Sequence, residues 1–265
     1  MVLLALAPLA ACGGDDGNSN PDGHVVVPDS PPIDTAPNPD TPAIPDAMQY
    51  DFSCFGMSNP TTADDPITVS GAAQYLDIAT QGLAAMPDAA IDTFVVGDDD
   101  APIDSTETDA TGDFMTGDLA TGGEPLNIYA KATKDQYRDT YVFPPGPVAA
   151  DLANVPIITF QNSTFSIILN VLGTSQDDMH DGMLIFLVTD CSNNLVSDAT
   201  VTVQQDGASA GDTQPLQGYD GAYLTTNVPP GDVDLTIMAE GKTYPTHTIQ
   251  AFIGADSITT VRPGP

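Results

Sequence analysis

Few side chains in this chain of 265 residues are suited to chemistry: three histidines, three cysteines and a surplus of carboxylates. His24, His180 and His247 lie far apart, and none belongs to an HExxH pair or a comparable zinc-ligand spacing. No G-x-S-x-G elbow, P-loop or G-x-G-x-x-G turn occurs either. With so few histidines and no basic clamp, the chain reads as non-catalytic. A hydrolase would need a dispersed Ser/His/Asp site assembled from distant residues. Asp98, Asp99 and Asp100, with Asp104, Glu107, Asp109 and Asp113 further on, offer oxygen ligands to a hard cation such as calcium. Their spacing does not fit the EF-hand loop, and a solvated loop is the simpler reading in a chain this acidic. Asp177, Asp178 and Asp181 beside His180 make a second, weaker cluster. Beyond calcium no cofactor is expected.

The formal net charge is -32, and the basic side chains are Lys131, Lys134, Arg138, Lys242 and Arg262. Phosphate backbones and anionic headgroups both need Lys or Arg to bind, so nucleic acid is excluded as a partner. The charge also keeps copies of the chain apart in solution. Hydrophobic residues make up 41% and aromatics 6%, and tryptophan is absent. Cores must then be built from Val, Ile, Leu and Ala, which suits β-sandwiches of modest size.

Residues Val2 to Ala11 are almost continuously apolar and end at Cys12. The run is too short for a permanent span, which needs roughly 20 residues, but it has the length of a signal-peptide core. Leu9-Ala10-Ala11-Cys12 resembles a lipobox, where a bacterial lipoprotein precursor is lipidated on cysteine and cut before it. The resemblance implies residues 1–12 as signal peptide and lipobox, Cys12 as the lipidation site, and an exported protein anchored to the outer membrane or cell surface. Met1 runs straight into the apolar stretch without the usual Lys or Arg, which a chain start placed too late would explain. With Cys12 lipidated, Cys54 and Cys191 remain, and an oxidising compartment favours their pairing over two buried thiols.

From Gly13 to about residue 48, Pro, Asp, Gly, Asn and Ser dominate, with Pro-Asp recurring four times. Prolines fix φ and remove donors while the aspartates repel, so an extended spacer is expected. Beyond Tyr50, short apolar runs alternate with Gly, Asp and Pro clusters, as half-buried strands do. Candidate strands are Ile67–Ser70, Ala90–Val96, Leu126–Ala130 and Thr140–Phe143. A repeat follows: Asp88-Ala89-Ala90-Ile91 matches Asp198-Ala199-Thr200-Val201, and Gly112-Asp113-Phe114 matches Gly221-Ala222-Tyr223. Leu126-x-Ile128-x-Ala130 likewise matches Leu235-x-Ile237-x-Ala239, and the offset hardly changes along the chain. Between the copies, Asn162 or Ser163 can cap a short helix through Phe165, Ile168, Leu169 and Leu172 that Gly173 ends, although Ile167-Ile168-Leu169 also suits a strand.

In each copy a D-A-x-V/I strand is followed by G-x-F/Y, an alternating strand and a Tyr. This pattern resembles the carboxypeptidase regulatory-like domain, a transthyretin-like β-sandwich, most closely over Leu184 to Val261 with its Asn227-Val228-Pro229-Pro230-Gly231 turn. The resemblance implies an all-β chain of two tandem sandwiches that serve as accessory modules without activity of their own. The expected layout is a first sandwich over 49–146, a linker with the short helix over 147–181, and a second sandwich over 182–265. The expected function is a structural or protein-interaction module at the cell surface. A carbohydrate-binding lipoprotein is the rival, although sugar sites favour stacked Trp or Tyr, and here only the eight tyrosines are available.

Overall fold

The structure, a computed structural model, describes residues 50–80, 82–98, 100–216 and 220–264. Cys12 and residues 13–48 lie outside the described residues, as do His24 and Asp99. Strands begin where alternation begins. In β14 (Gly231–Ala239), Val233, Leu235, Ile237 and Ala239 point inward while Asp232, Asp234 and Met238 face solvent. Around it, β10 (Thr200–Gln205) pairs antiparallel and carries the short hairpin strand β11 (Ala208–Ser209). On its other side lie β15 (Lys242–Thr243) and β16 (His247–Ala251). The facing sheet is centred on β9 (Gly182–Val188), antiparallel to β13 (Ala222–Val228) and parallel to β17 (Asp256–Val261). Strand β12 (Asp212–Pro215) closes it beyond β13.

The first half repeats these pairings. Strand β1 (Val69–Asp77) is antiparallel to β5 (Asp113–Met115) and parallel to β8 (Leu152–Thr159), as β9 is to β13 and β17. Strand β3 (Ala90–Val95) lies between β4 (Asp104–Glu107) and β6 (Ile128–Thr133), and β6 pairs with β7 (Thr140–Phe143), all antiparallel. A further strand, β2 (Gly82–Ala85), extends the β1 sheet. The chain is thus two tandem sandwiches of one topology. Each has an apolar core, one around Ile91, Phe114, Ile128 and Ile157, the other around Phe186, Tyr223, Leu235 and Ile249.

The repeated G-x-F/Y motif has a packing reason in both copies. Gly112 and Gly221 have φ of 83° and 76°, a region closed to most side chains. A Cβ would approach Ala73 O to 2.6 Å and Val196 N to 2.9 Å. Phe114 and Tyr223, two residues on, are buried between the sheets.

The two sandwiches share a sheet. Strands β7 and β17 pair in parallel, Thr140 to Phe143 against Asp256 to Thr259, which joins the strands in the order β12-β13-β9-β17-β7-β6-β3-β4. Tyr141 of the first half stacks on Phe252 of the second, ring centroids 3.7 Å apart. The stretch 147–181, expected as linker, contains β8, whose pairing with β1 makes it part of the first sandwich. Pro156 and the left-handed Asn154 (φ 61°) break its alternation and hide the strand from sequence. The helix is α1 (Asn162–Leu172), ended by Gly173 in the left-handed region. Its N-cap is Gln161, with no side-chain cap bond, rather than Asn162 or Ser163. Phe165 and Leu169 press on Met183 and Leu224, the face of the β9 sheet turned away from the second core.

A clamp holds the start of the folded chain on the second sandwich. Cys54 and Cys191 are joined by a disulfide, Cα atoms 5.7 Å apart. Asp51 N–H donates to the Asp190 carboxylate, and Cys191 N–H donates to Asp51 O. Asp190 is wholly buried. Burial opposes its charge, but bonds from Asn194, Asp51 and Ser192 prevail and hold its carboxyl below the usual range.

Two outcomes follow from this packing. Gly221→Ala is expected to destabilise the chain by about 1–3 kcal/mol in urea unfolding. Gly207→Ala, also at positive φ but with open space around it, should cost less, and equal costs would refute the close-approach argument. Replacing both Cys54 and Cys191 by Ser should cost about 4–5 kcal/mol, since the bridge spans 137 residues. A change under about 1 kcal/mol would show that the Asp51–Asp190 contacts suffice.

Candidate functional site at the seam of the sandwiches

At the leading ends of the parallel pair β7 and β17, a charged cluster is buried. Arg138 lies two residues before β7, where its N–H donates to Phe160 O and its own carbonyl accepts from Thr159 Oγ1. Its side chain is 4% exposed. Nε donates to Asp256 Oδ1 at 2.7 Å, and Nη1 reaches Asp178 Oδ2 at 2.9 Å. The guanidinium lies 3.7 Å from the centre of the Phe165 ring on α1. One residue therefore contacts the first sandwich through its backbone, and the helix, the loop before β9 and the last strand through its side chain. Nη2 of Arg138 and Oδ2 of Asp256 are buried with no hydrogen-bond partner. Burial is the main influence on Asp256 and pushes its carboxyl up to about 7; Arg138 pulls the other way, while Asp178 and Asp139 add to the rise. Two carboxylates on different elements share one cation, an arrangement suited to holding those elements together.

Between the strands the seam is polar, with Thr140, Ser257 and Thr259 all buried. At its trailing end Thr259 Oγ1 donates to Phe143 O and lies 2.8 Å from His247 Nε2. The threonine proton is committed to the carbonyl, so His247 donates through Nε2–H. Burial lowers His247 to about 4 and keeps the ring neutral. A cleft of about 340 Å³ opens there, lined by His247, Arg262, Asn59, Asn127 and the prolines of Pro144–Pro147.

The acids singled out in the sequence are dispersed. Asp98 and Asp100 are exposed after β3. Asp104 Oδ2 accepts from Gly117 N–H at 3.2 Å, tying β4 to the segment after β5, and Asp109 Oδ1 accepts from Thr111 and Asp113 N–H, bracing its own turn. Among the described residues no group of three or more His, Cys, Asp or Glu side chains is placed to hold a metal ion. In the second cluster, Asp177 bonds the exposed His180 at 2.9 Å, and Asp178 goes to Arg138. Sequence reading missed Arg138 and Asp256, which lie 118 residues apart. Arg138 stands out in the chain only as one of five basic residues.

Asp256 rises from 3.8 to about 7 on folding, so the folded state holds an extra proton between those values. Its contribution to stability therefore falls as pH rises through that window, by an amount on the order of a few kcal/mol. His247 falls from 6.5 to about 4, so its contribution is lost as pH falls through that range. Asp256→Asn keeps an acceptor for Arg138 Nε and removes the first titration. Urea unfolding should show the variant gaining on the parent chain as pH rises from about 4.5 to 7.5. A difference that does not change with pH would mean that Asp256 stays ionised throughout.

No family model and no curated protein matches the chain. Among solved structures, the Bacillus anthracis TIE protein overlaps at 11% identity and a TM-score of 0.26, over 74% of this chain and 33% of its own. The shaft pilin spaA of Lactobacillus rhamnosus GG (D295N mutant) overlaps at 12% identity and 0.26, over 76% and 99%. A single B repeat unit of the Staphylococcus aureus collagen binding surface protein overlaps at 14% identity and 0.27, over 76% and 100%. The chain spans about a third of the TIE protein.

Proposed function

We propose that the chain is a non-catalytic, membrane-anchored surface lipoprotein whose fused sandwiches act as a structural or protein-interaction module. The observation that carries this reading is the continuous eight-stranded sheet. At roughly 4.8 Å per strand, its outer strands β4 and β12 stand about 34 Å apart, and the Arg138 cluster crosses the seam between the sandwiches. Such a body suits holding two surfaces at a fixed separation. The apolar run ending at Cys12 supports a lipid anchor, and the Pro-Asp tract supports a spacer between anchor and body. Among the described residues no helix is long and apolar enough to cross a membrane. The clamp at Cys54 and Asp51 suits a tether that delivers its load to the second sandwich rather than to a loose strand.

Intact mass on protein extracted from the producing cell's membranes tests the proposal. The expected mass begins at Cys12, carries acyl chains and gains about two daltons on reduction, since two thiols form from one disulfide. A mass without acyl chains would overturn the anchor, and no gain on reduction of the unfolded chain would overturn the clamp.

A further inference from the structure

We propose that the groove between the end of α1 and the outer edge of β12 is a strand-addition site for a basic, extended polypeptide segment of a partner. This rests on the interaction-module reading and names the surface and chemistry of the contact.

The hydrogen-bond parity of β12 leaves its outer edge open. Leu216 N–H donates to Ala222 O, so in the register Asp212↔Thr226 to Pro215↔Tyr223 the bonded pairs are those of Leu216, Gln214 and Asp212. Thr213 and Pro215 are then the non-bonded pairs, and their backbone groups point away from β13. Pro215 fits, because its missing N–H faces the open side. The edge offers a complete donor and acceptor at Thr213 and a further acceptor at Pro215. Among the described residues β12 pairs with β13 alone.

Beside this edge is a groove of about 570 Å³, with Gly173, Thr174 and Ser175 on one wall and Asp212, Thr213 and Gln214 on the other. The wall is held in place. Asn227, left-handed at φ 57° in a bulge of β13, donates to Ser175 O and accepts from Asp177 N–H, while its own N–H donates to Gln176 Oε1. Thr174 Oγ1 lies 3.1 Å from Thr226 Oγ1. The Asn-Val-Pro-Pro-Gly turn noted in the sequence thus braces one side of the groove. A segment entering it meets a preformed slot, which lowers the ordering cost of binding.

Charge selects the occupant. The last turn of α1 has no basic residue, so its partial negative end, capped by the Gly173 and Thr174 N–H groups, faces the groove without a countercharge. Asp212 is exposed on the opposite wall. A second copy of a chain at -32 is repelled, whereas a Lys or Arg on an incoming strand is attracted from both walls.

The test uses the full chain in detergent micelles, with a fluorescent octapeptide of alternating Lys and Val and a Glu/Val control. Anisotropy should saturate for the Lys/Val peptide and weaken with salt, and hydrogen exchange should slow over residues 211–216. Thr213→Pro, which removes the outward N–H and spares the β13 ladder, and Asp212→Lys should each weaken binding at least tenfold. No saturation at millimolar peptide would overturn the proposal, as would equal binding of Glu/Val, protection elsewhere or full affinity in both variants. Sedimentation showing a dimer that Thr213→Pro abolishes would assign the edge to a second copy instead. None of these outcomes bears on the acyl mass, so the anchor and the groove stand or fall separately.

Discussion

The parallel pairing of β7 with β17 is the constraint around which the rest of the molecule is arranged. Two parallel strands cannot be joined by a tight turn and need a crossover. Here the crossover is β8, α1 and nearly the whole second sandwich, from Phe143 to Asp256. The pairing places the last strand of the second sandwich between β9 and β7, so that it is bonded on both sides. Its side chains also have cover: Ser257 and Thr259 are buried, and Asp256 is fully enclosed. An enclosed carboxylate needs a cation, and the cation must come from an element that reaches the same end of the seam. Arg138, two residues before β7, meets that requirement. Phe165 and Asp178 then position α1 and the following loop around it.

The energetics of that cluster are finely balanced. Enclosed ion pairs contribute little net stability, yet breaking one leaves an unpaired charge at a cost of about 3–5 kcal/mol. The cluster therefore adds more to uniqueness of arrangement than to gross stability, which comes from the two apolar cores. The unpartnered Arg138 Nη2 and Asp256 Oδ2 show that the match is imperfect. The imperfection fits the high titration of Asp256, where burial outweighs the neighbouring cation.

The two repeats were legible in sequence because their signals are local. Gly112 and Gly221 each precede an aromatic by two residues, and β14 alternates over nine residues, so turn and strand announce themselves together. Helix α1 was legible from the spacing of Phe165, Leu169 and Leu172, although its cap was misplaced because Gln161 caps without a side-chain bond. The shared sheet was not legible. Thr140 and Asp256 pair at a sequence separation of 116, and nothing in either tetrapeptide distinguishes a strand that meets its own sandwich from one that meets its neighbour. The same holds for Arg138 and Asp256, each unremarkable alone. The acidic run after β3 left two readings open in sequence, cation ligands or a solvated loop; Asp98 and Asp100 are exposed, Asp109 braces its own turn as Asp commonly does, and Asp104 ties β4 to Gly117 beyond β5.

The few basic side chains show how so acidic a chain remains folded. Lys131 pairs with Asp139, Arg138 is enclosed, and Lys134 donates to Pro87 O. Lys242 sits over the rings of Phe52 and Phe55, and Arg262 reaches Asn193. Each is committed to an internal contact, and several cross between segments distant in sequence. Little cationic surface is left to neutralise a neighbour. Copies of the folded body repel one another at low salt, and the repulsion protects open edges that would otherwise invite pairing. The same field draws in a cationic strand, so the acidity that keeps the edges apart from one another also selects what can occupy them.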